Sequence, residues 1–116
     1  MEIYTGSCHC GAVTYSINAD IEKVMECNCS HCSRKGFLLA FISKAQFTLH
    51  TGDTNLTTYL FNKNHIHHEF CKTCGVQCFG HAENEDGNAM YAINTRTLTD
   101  VDLSLIPIEK IEGKSF

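Results

Sequence analysis

Three cysteines lie within six residues, in the stretch Cys27-Asn28-Cys29-Ser30-His31-Cys32. Their thiolates can bind one soft divalent ion, and zinc is an ion that such ligands favour in proteins. Zinc prefers four ligands, so this cluster is one ligand short. A structural zinc site takes its fourth ligand from the protein, whereas a catalytic zinc site leaves that place to water or substrate. The remaining chain therefore decides which kind of site the cluster forms.

Four other cysteines form two pairs that are each followed by a glycine: Cys8-x-Cys10-Gly11 and Cys71-x-x-Cys74-Gly75. The second pair has the pattern of a zinc knuckle, in which backbone amides point at the sulfurs and the glycine adopts a left-handed conformation. We expect both pairs to share one zinc ion with four thiolate ligands. Such an ion would join distant segments of the chain and contribute directly to folding, which predicts a structural role.

No glycine follows Cys27, Cys29 or Cys32, and the assignment of the other four cysteines leaves this cluster with three thiolates. The remaining coordination position could accept a small thiol, because zinc would lower the pKa of that thiol and give a thiolate at neutral pH. Zinc can also polarise a carbonyl group as a Lewis acid. This arrangement predicts addition of sulfur to a carbonyl carbon.

The alternative for the same cluster is a closed structural site, with a fourth ligand from His31, Cys78 or the segment His65-Ile66-His67-His68. His31 is a poor ligand because its neighbour Cys32 already points at the metal. Cys78 is better explained as a buried apolar thiol on a strand, since free cysteine is among the most buried residue types. The sequence alone leaves this alternative open.

The other polar residues near these cysteines have simpler interpretations. His65 and His67 should share one face of a strand and His68 the other, which favours solvated strand histidines over ligands. His9 and His81 are expected to be surface or packing residues.

Arg34 and Lys35 directly follow the three-cysteine cluster. They could hold a carboxylate group of the substrate. The interpretation that we prefer is a pair of exposed charges without a specific partner, because isolated surface charges contribute little.

The chain has 116 residues, including eight cysteines, seven histidines and one proline. This length is usual for one domain, and no Pro/Gly/Ser-rich linker divides it, so we expect a single domain over residues 1–116. The formal net charge is −4, and the absence of a basic stripe argues against binding to nucleic acid. No apolar run approaches the roughly 18 residues of a membrane span.

Clustered cysteines favour metal ligation over the spread-out disulfides of a secreted domain. The first ten residues, MEIYTGSCHC, lack the basic start and the apolar run of a signal peptide. We therefore predict a reducing compartment and a cytoplasmic location.

Short strands are predicted along the whole chain. Val13, Tyr15 and Ile17 alternate with polar residues, which is typical of a half-buried strand. In the strand over 76–81, the same alternation predicts that Gln77, Phe79 and His81 share one face. One helical turn is expected over residues 30–35, with Gly36 ending it. Polar turns are expected over 62–64 and 84–88, and a strand buried on both faces over 37–42. This pattern predicts an all-β sandwich or barrel, with strands over these ranges: 2–5, 12–18, 24–27, 37–42, 47–50, 57–61, 65–70, 76–81, 89–93 and, at an edge before Pro107, 103–106.

The cysteine pattern resembles the glutathione-dependent formaldehyde-activating enzyme (GFA) family. The resemblance covers most of the chain and rests on these motifs: Cys8-x-Cys10-Gly11, Cys27-x-Cys29-x-x-Cys32-Ser33-Arg34, Phe70-Cys71-x-x-Cys74-Gly75, and Ile93-Asn94 with Leu98 beyond. It implies a mainly β, Mss4-like fold built of short antiparallel strands and stapled by zinc.

The same resemblance implies that two zinc ions are the cofactors. Structural zinc would be held by Cys8, Cys10, Cys71 and Cys74, and catalytic zinc by Cys27, Cys29 and Cys32. The implied activity is condensation of formaldehyde with glutathione to S-hydroxymethylglutathione, which is classed as a carbon–sulfur lyase reaction.

Two functional hypotheses follow from these observations. The first is a zinc-dependent carbon–sulfur lyase that acts on a small thiol, such as glutathione, and a small aldehyde. The second is a non-catalytic zinc-binding module that interacts with another protein. An exposed apolar patch away from the metal would favour the second hypothesis, but the short apolar runs are expected to be used in the core.

Overall fold

The computed structural model describes residues 2–60, 66–83 and 88–112. These ranges contain ten strands and one short α-helix, with 3₁₀ turns at Lys44–Gln46, Thr95–Thr97 and Leu103–Leu105. The predicted mainly β fold is confirmed. The strands are β1 Glu2–Ser7, β2 Thr14–Ala19, β3 Val24–Cys27, β4 Leu39–Ser43, β5 Phe47–Thr51, β6 Leu56–Tyr59, β7 His67–Cys71, β8 Gln77–Glu83, β9 Ala89–Asn94 and β10 Ile108–Ile111, and the helix is α1 Ser30–Lys35.

The strands form two sheets. One has three strands in the order β1-β2-β5, and the other has seven in the order β10-β3-β4-β9-β8-β7-β6. All the described strand pairs are antiparallel except β10 with β3, which is parallel. No helix in the described ranges is long and apolar enough to cross a membrane.

An aromatic cluster fills the space between the two sheets. Tyr15 from the small sheet stacks on Phe47 with ring centroids 5.7 Å apart. Phe47 in turn lies 4.7 Å from both Phe79 and Tyr91 of the large sheet, measured between ring centroids. The prediction that Val13, Tyr15 and Ile17 share a buried face is confirmed, since each is at most 1% exposed.

Helix α1 has the predicted bounds and is capped at both ends. Cys29 is the N-cap residue, and its sulfur accepts a hydrogen bond from the amide of Cys32. Gly36 ends the helix in the left-handed conformation, at φ 71°, which glycine adopts without a steric cost. The helix thus follows directly from β3 and carries the last cysteine of the three-cysteine cluster.

A bulge in β8 changes which of its side chains share a face. Glu69 pairs with Phe79, but its neighbour Phe70 pairs with Gln77, so Cys78 is one extra residue on β8. The bulge places Gln77 on the side of Phe70, whereas Phe79 stays on the side of Glu69. The prediction that Gln77, Phe79 and His81 share one face is therefore wrong for Gln77.

Two further strand predictions need correction. The segment 37–42 is not buried on both faces, because Phe41 of β4 is 45% exposed. The C-terminal strand follows Pro107 instead of preceding it: residues 103–105 form a 3₁₀ turn and Ile108–Ile111 pairs with β3. His65 and the predicted turns over 62–64 and most of 84–88 lie outside the described residues.

Replacement of Gly6 by alanine should destabilise the protein. The added Cβ would overlap the ring of Tyr15, and that ring is fixed because its hydroxyl lies 2.6 Å from Thr97 Oγ1. In an ordinary strand the same replacement stabilises by about 0.5–1 kcal/mol, whereas overpacking should cost about 1–3 kcal/mol. Urea unfolding measures the sign, and a stabilised Gly6→Ala variant would contradict this packing.

Candidate metal centres

Four cysteine sulfurs come together where β1 leads into β2 and β7 leads into β8, and their ligand atoms all lie within 4.8 Å of one another: Cys8, Cys10, Cys71 and Cys74. Cys10 Sγ lies 3.7 Å from Cys8 Sγ and also 3.7 Å from Cys71 Sγ. Two sulfurs bound to one tetrahedral zinc ion are about 3.8 Å apart, whereas a disulfide needs about 2 Å. The spacing therefore fits zinc.

Backbone and side-chain N–H groups point at these sulfurs. The amide of Val13 donates to Cys8 Sγ at 3.3 Å, and Asn55 Nδ2 donates to Cys71 Sγ at the same distance. The amide of Cys74 also donates to Cys71 Sγ and, as the largest effect, lowers the pKa of that thiol to about 6. Such donors stabilise thiolates, which are the form that binds metal.

The three-cysteine cluster is also assembled, because the sulfurs of Cys27, Cys29 and Cys32 lie within 4.8 Å of one another. Burial raises the pKa of the Cys32 and Cys27 thiols. Burial also disfavours ionisation of Cys29, but the hydrogen bond from the Cys32 amide helps to outweigh it, and the pKa of Cys29 is lowered. Both cysteine groups could hold a metal ion, and their sulfur ligands are consistent with zinc.

Apolar side chains cover one side of the three-cysteine cluster. Phe37 and Leu39 are buried against Cys32, and Met25 and Ala92 pack at the edge of the same group. Such packing keeps water from that side and strengthens electrostatic interactions at a bound ion.

No fourth histidine, cysteine or carboxylate of the described residues belongs to the three-cysteine group. Cys78, the strongest candidate for a closing ligand, lies instead in the core beside Cys8 and Cys71. It is 1% exposed, and burial raises the pKa of its thiol to about 12. The prediction that Cys78 is a buried apolar thiol is confirmed.

The histidines divide between the two faces of β7. His68 faces α1, with its ring centroid 4.1 Å from that of His31. Because His68 is only 7% exposed, the prediction of a solvated histidine is wrong there. His67 faces the other way and stacks on His81. Outside this strand pair, His9 is exposed, as predicted.

Arg34 and Lys35 line a cavity of about 620 Å³ beside helix α1, together with Ser30, His31, Tyr59 and Phe70. Arg34 Nη1 donates to the Ser30 carbonyl at 2.9 Å, and Lys35 Nζ lies 5.5 Å from the centre of the Phe70 ring. Both charges are exposed, as predicted, yet they share one concave surface. Tyr59 and Phe70 were missed because only strand pairing across β6 and β7 brings them to the helix.

Comparison with known proteins places these centres in context. Residues 3–111 match the family described as glutathione-dependent formaldehyde-activating enzyme. The structure is similar to a crystal structure of a Rhodobacter sphaeroides protein, with a TM-score of 0.76 and 29% sequence identity. That similarity covers 90% of this chain and 99% of the other.

Replacement of Cys78 by alanine should leave the metal content unchanged, because its sulfur belongs to neither cysteine group. The cost should be a small cavity, worth about 1 kcal/mol of unfolding free energy. Native mass spectrometry measures metal per chain. The matched control is Cys29→Ala, which should lose one ion because Cys29 belongs to the three-cysteine group, and loss of metal from Cys78→Ala would contradict this assignment.

Acid should destabilise the protein partly through His68. Burial, as the largest effect, lowers the pKa of His68 to about 4, so the folded state resists a proton that the unfolded state accepts near pH 6.5. Neutral His68 costs no stability above about pH 6.5. As the pH falls towards 4, protonation of His68 in the unfolded state lowers the free energy of unfolding, by on the order of 2 kcal/mol at pH 5.

The measurement compares urea unfolding of the wild type and His68→Gln at pH 7 and pH 5, with the same zinc concentration throughout. The variant should lose less stability on acidification than the wild type. The exposed-site control His9→Gln should behave as the wild type, and equal acid sensitivity of all three proteins would contradict the prediction.

Proposed function

Because the chain belongs to the glutathione-dependent formaldehyde-activating enzyme family, we propose that it is a zinc-dependent enzyme joining a small thiol to a small aldehyde. Glutathione and formaldehyde are the substrates that the family description suggests, and the reaction is of the carbon–sulfur lyase type. The observation that carries the proposal is the three-cysteine group, which gathers three sulfurs without a fourth ligand among the described residues. A structural site would normally have four.

The two cysteine groups have different proposed roles. Cys8, Cys10, Cys71 and Cys74 hold structural zinc, since they supply a full set of four ligands and join two separate strand connections. Cys27, Cys29 and Cys32 hold catalytic zinc. When bound there, zinc would lower the pKa of an incoming thiol and polarise a carbonyl group.

Residues around the three-cysteine group prepare it for this chemistry. The amide of Cys32 donates to Cys29 Sγ at 3.2 Å, which keeps that sulfur oriented and favours its thiolate form. Phe37 and Leu39 keep water from one side of the cluster. The sulfurs are therefore held in a partly dry environment before a substrate arrives.

The cavity beside α1 is the proposed place for the thiol substrate. Arg34 and Lys35 lie on the same short helix as Cys32 and line that cavity. Glutathione carries two carboxylates, which guanidinium and ammonium groups bind well. The sequence-based preference for charges without a specific partner is replaced by this proposal.

A non-catalytic zinc module remains the second candidate, and one observation favours it. Phe41 and Met90 are 45% and 44% exposed, respectively, and lie close together on the adjacent strands β4 and β9. The expectation that all short apolar runs are used in the core is therefore wrong. Loss of turnover in the Cys29→Ala variant would distinguish the enzyme from the non-catalytic module.

We place the protein in the cytoplasm, in keeping with a thiol substrate. All eight cysteines are free thiols in the structure, as a reducing compartment would require for metal ligation. The acidic charge of the chain disfavours nucleic acid as a partner.

Replacement of Cys29 by alanine should abolish turnover and leave most of the fold intact. The reason is that Cys29 belongs to the group that we assign to catalysis, while the four-cysteine group remains complete. Activity with glutathione and formaldehyde, metal content and circular dichroism are measured on the same preparation. We expect about one zinc ion fewer per chain, with only the modest loss of a helix cap, about 1 kcal/mol.

The matched variant is Cys71→Ala, which should unfold the protein, because structural zinc contributes on the order of 10 kcal/mol to folding. If Cys29→Ala unfolds as Cys71→Ala does, the three-cysteine group is structural. If Cys29→Ala keeps full turnover, the proposed chemistry is wrong.

A further inference from the structure

Two histidines and a glutamate gather their ligand atoms on the face of β7 and β8 that points away from α1. These residues are His67, Glu69 and His81, and their ligand atoms all lie within 4.8 Å of one another. We propose that they form a third metal site, which binds a divalent transition-metal ion through two imidazoles and one carboxylate. This site is separate from both cysteine groups and independent of the proposed enzymatic function.

Strand register creates this arrangement. His67 pairs directly with His81 across the β7–β8 ladder, and Glu69 lies two residues further along β7 on the same face. The bulge at Cys78 occurs beyond Glu69, so it does not disturb the three residues. A rigid pair of central strands therefore positions all three ligands.

The distances fit shared coordination. His81 Nε2 lies 3.2 Å from Glu69 Oε1. Two ligand atoms bound to one tetrahedral ion at the usual nitrogen and oxygen distances are about 3.3 Å apart. The His67 and His81 rings stack with centroids 4.9 Å apart and an interplanar angle of 3°, so rotation of the imidazole side chains would be needed to direct one nitrogen of each ring at a shared ion.

The charge of Glu69 gives a reason for a cation at this position. Glu69 is 9% exposed, and a buried carboxylate is costly unless a positive charge compensates it. In the described ranges its side-chain partners are Thr58 and His81, and neither carries a permanent positive charge. Lys44 lines the same cavity but is not among these partners, and a divalent ion would supply a positive charge bound directly to the carboxylate.

Thr58 also orients the carboxylate. Its hydroxyl donates to Glu69 Oε2 at 2.8 Å, which leaves Oε1 directed at His81. Outer hydrogen bonds of this kind are a regular feature of metal sites because they fix the ligand geometry.

The ligand types select the ion. Imidazole and carboxylate suit zinc, nickel, copper, cobalt and iron, whereas magnesium and calcium prefer oxygen ligands alone. Glu69 and His81 also line a cavity of about 510 Å³, together with Tyr91. Further coordination positions of the ion would open into this cavity.

Titration with Co²⁺ of the full chain loaded with only two equivalents of Zn²⁺, enough for the two cysteine groups, tests the proposal when followed by visible absorption. We expect one additional equivalent to bind with weak cobalt bands and without the charge-transfer band of sulfur coordination. His81→Ala and Glu69→Gln should each weaken this binding by about tenfold or more. The control His50→Ala removes an exposed histidine bonded to Ser16 and should leave it unchanged.

Glu69→Gln keeps the volume of the side chain, so it decides the question if His81→Ala fails to fold. The proposal is overturned if no additional equivalent binds, or if all the bound cobalt shows the sulfur band. It is also overturned if binding is equally strong in folded Glu69→Gln and in the wild type.

Discussion

Four sulfur atoms meet at the junction between the two sheets. Cys8 and Cys10 follow β1 of the small sheet, Cys71 ends β7 of the large sheet, and Cys74 lies in the connection to β8. Their sulfurs are already at the spacing of zinc ligands. Since a domain of this size buries only a modest core, one shared ion at this junction would hold the aromatic layer of Tyr15, Phe47 and Phe79 in place.

Strand β7 connects the different parts of the molecule. Its last residue contributes to the four-cysteine group, one face contacts helix α1 through His68, and the other face presents His67 and Glu69. Pleating of a strand produces this division, because successive side chains point to opposite sides. The bulge in β8 then brings Gln77 to the α1 side, where its side chain lies 3.3 Å from His68 Nδ1.

The sequence was sufficient to predict the features that depend on local chemistry or on the preference of thiolates for a shared metal ion. Cysteine spacing predicted both sulfur groups, alternation predicted the buried face of β2, and Gly36 predicted the end of α1. Features that depend on how distant strands pair and pack were not predictable in this way. The position of β10 depends on its parallel pairing with β3, and the burial of His68 depends on a helix almost forty residues earlier in the chain. A bulge such as that at Cys78 in β8 carries no reliable signal in a single sequence. Strict alternation therefore assigned Gln77 to the wrong face of the strand.

Cys29 has two tasks that use the same sulfur, since it caps helix α1 and belongs to the three-cysteine group. A helix of six residues has little stability by itself. The sulfur cluster and the helix therefore support each other, and any change that pulls the sulfurs apart also loosens the helix. Arg34 and Lys35 stand on this helix and line its cavity, so the cationic wall of the cavity exists only as long as the cluster is assembled. Under the proposed function, ion binding and anion recognition would therefore be one folding event at the local scale.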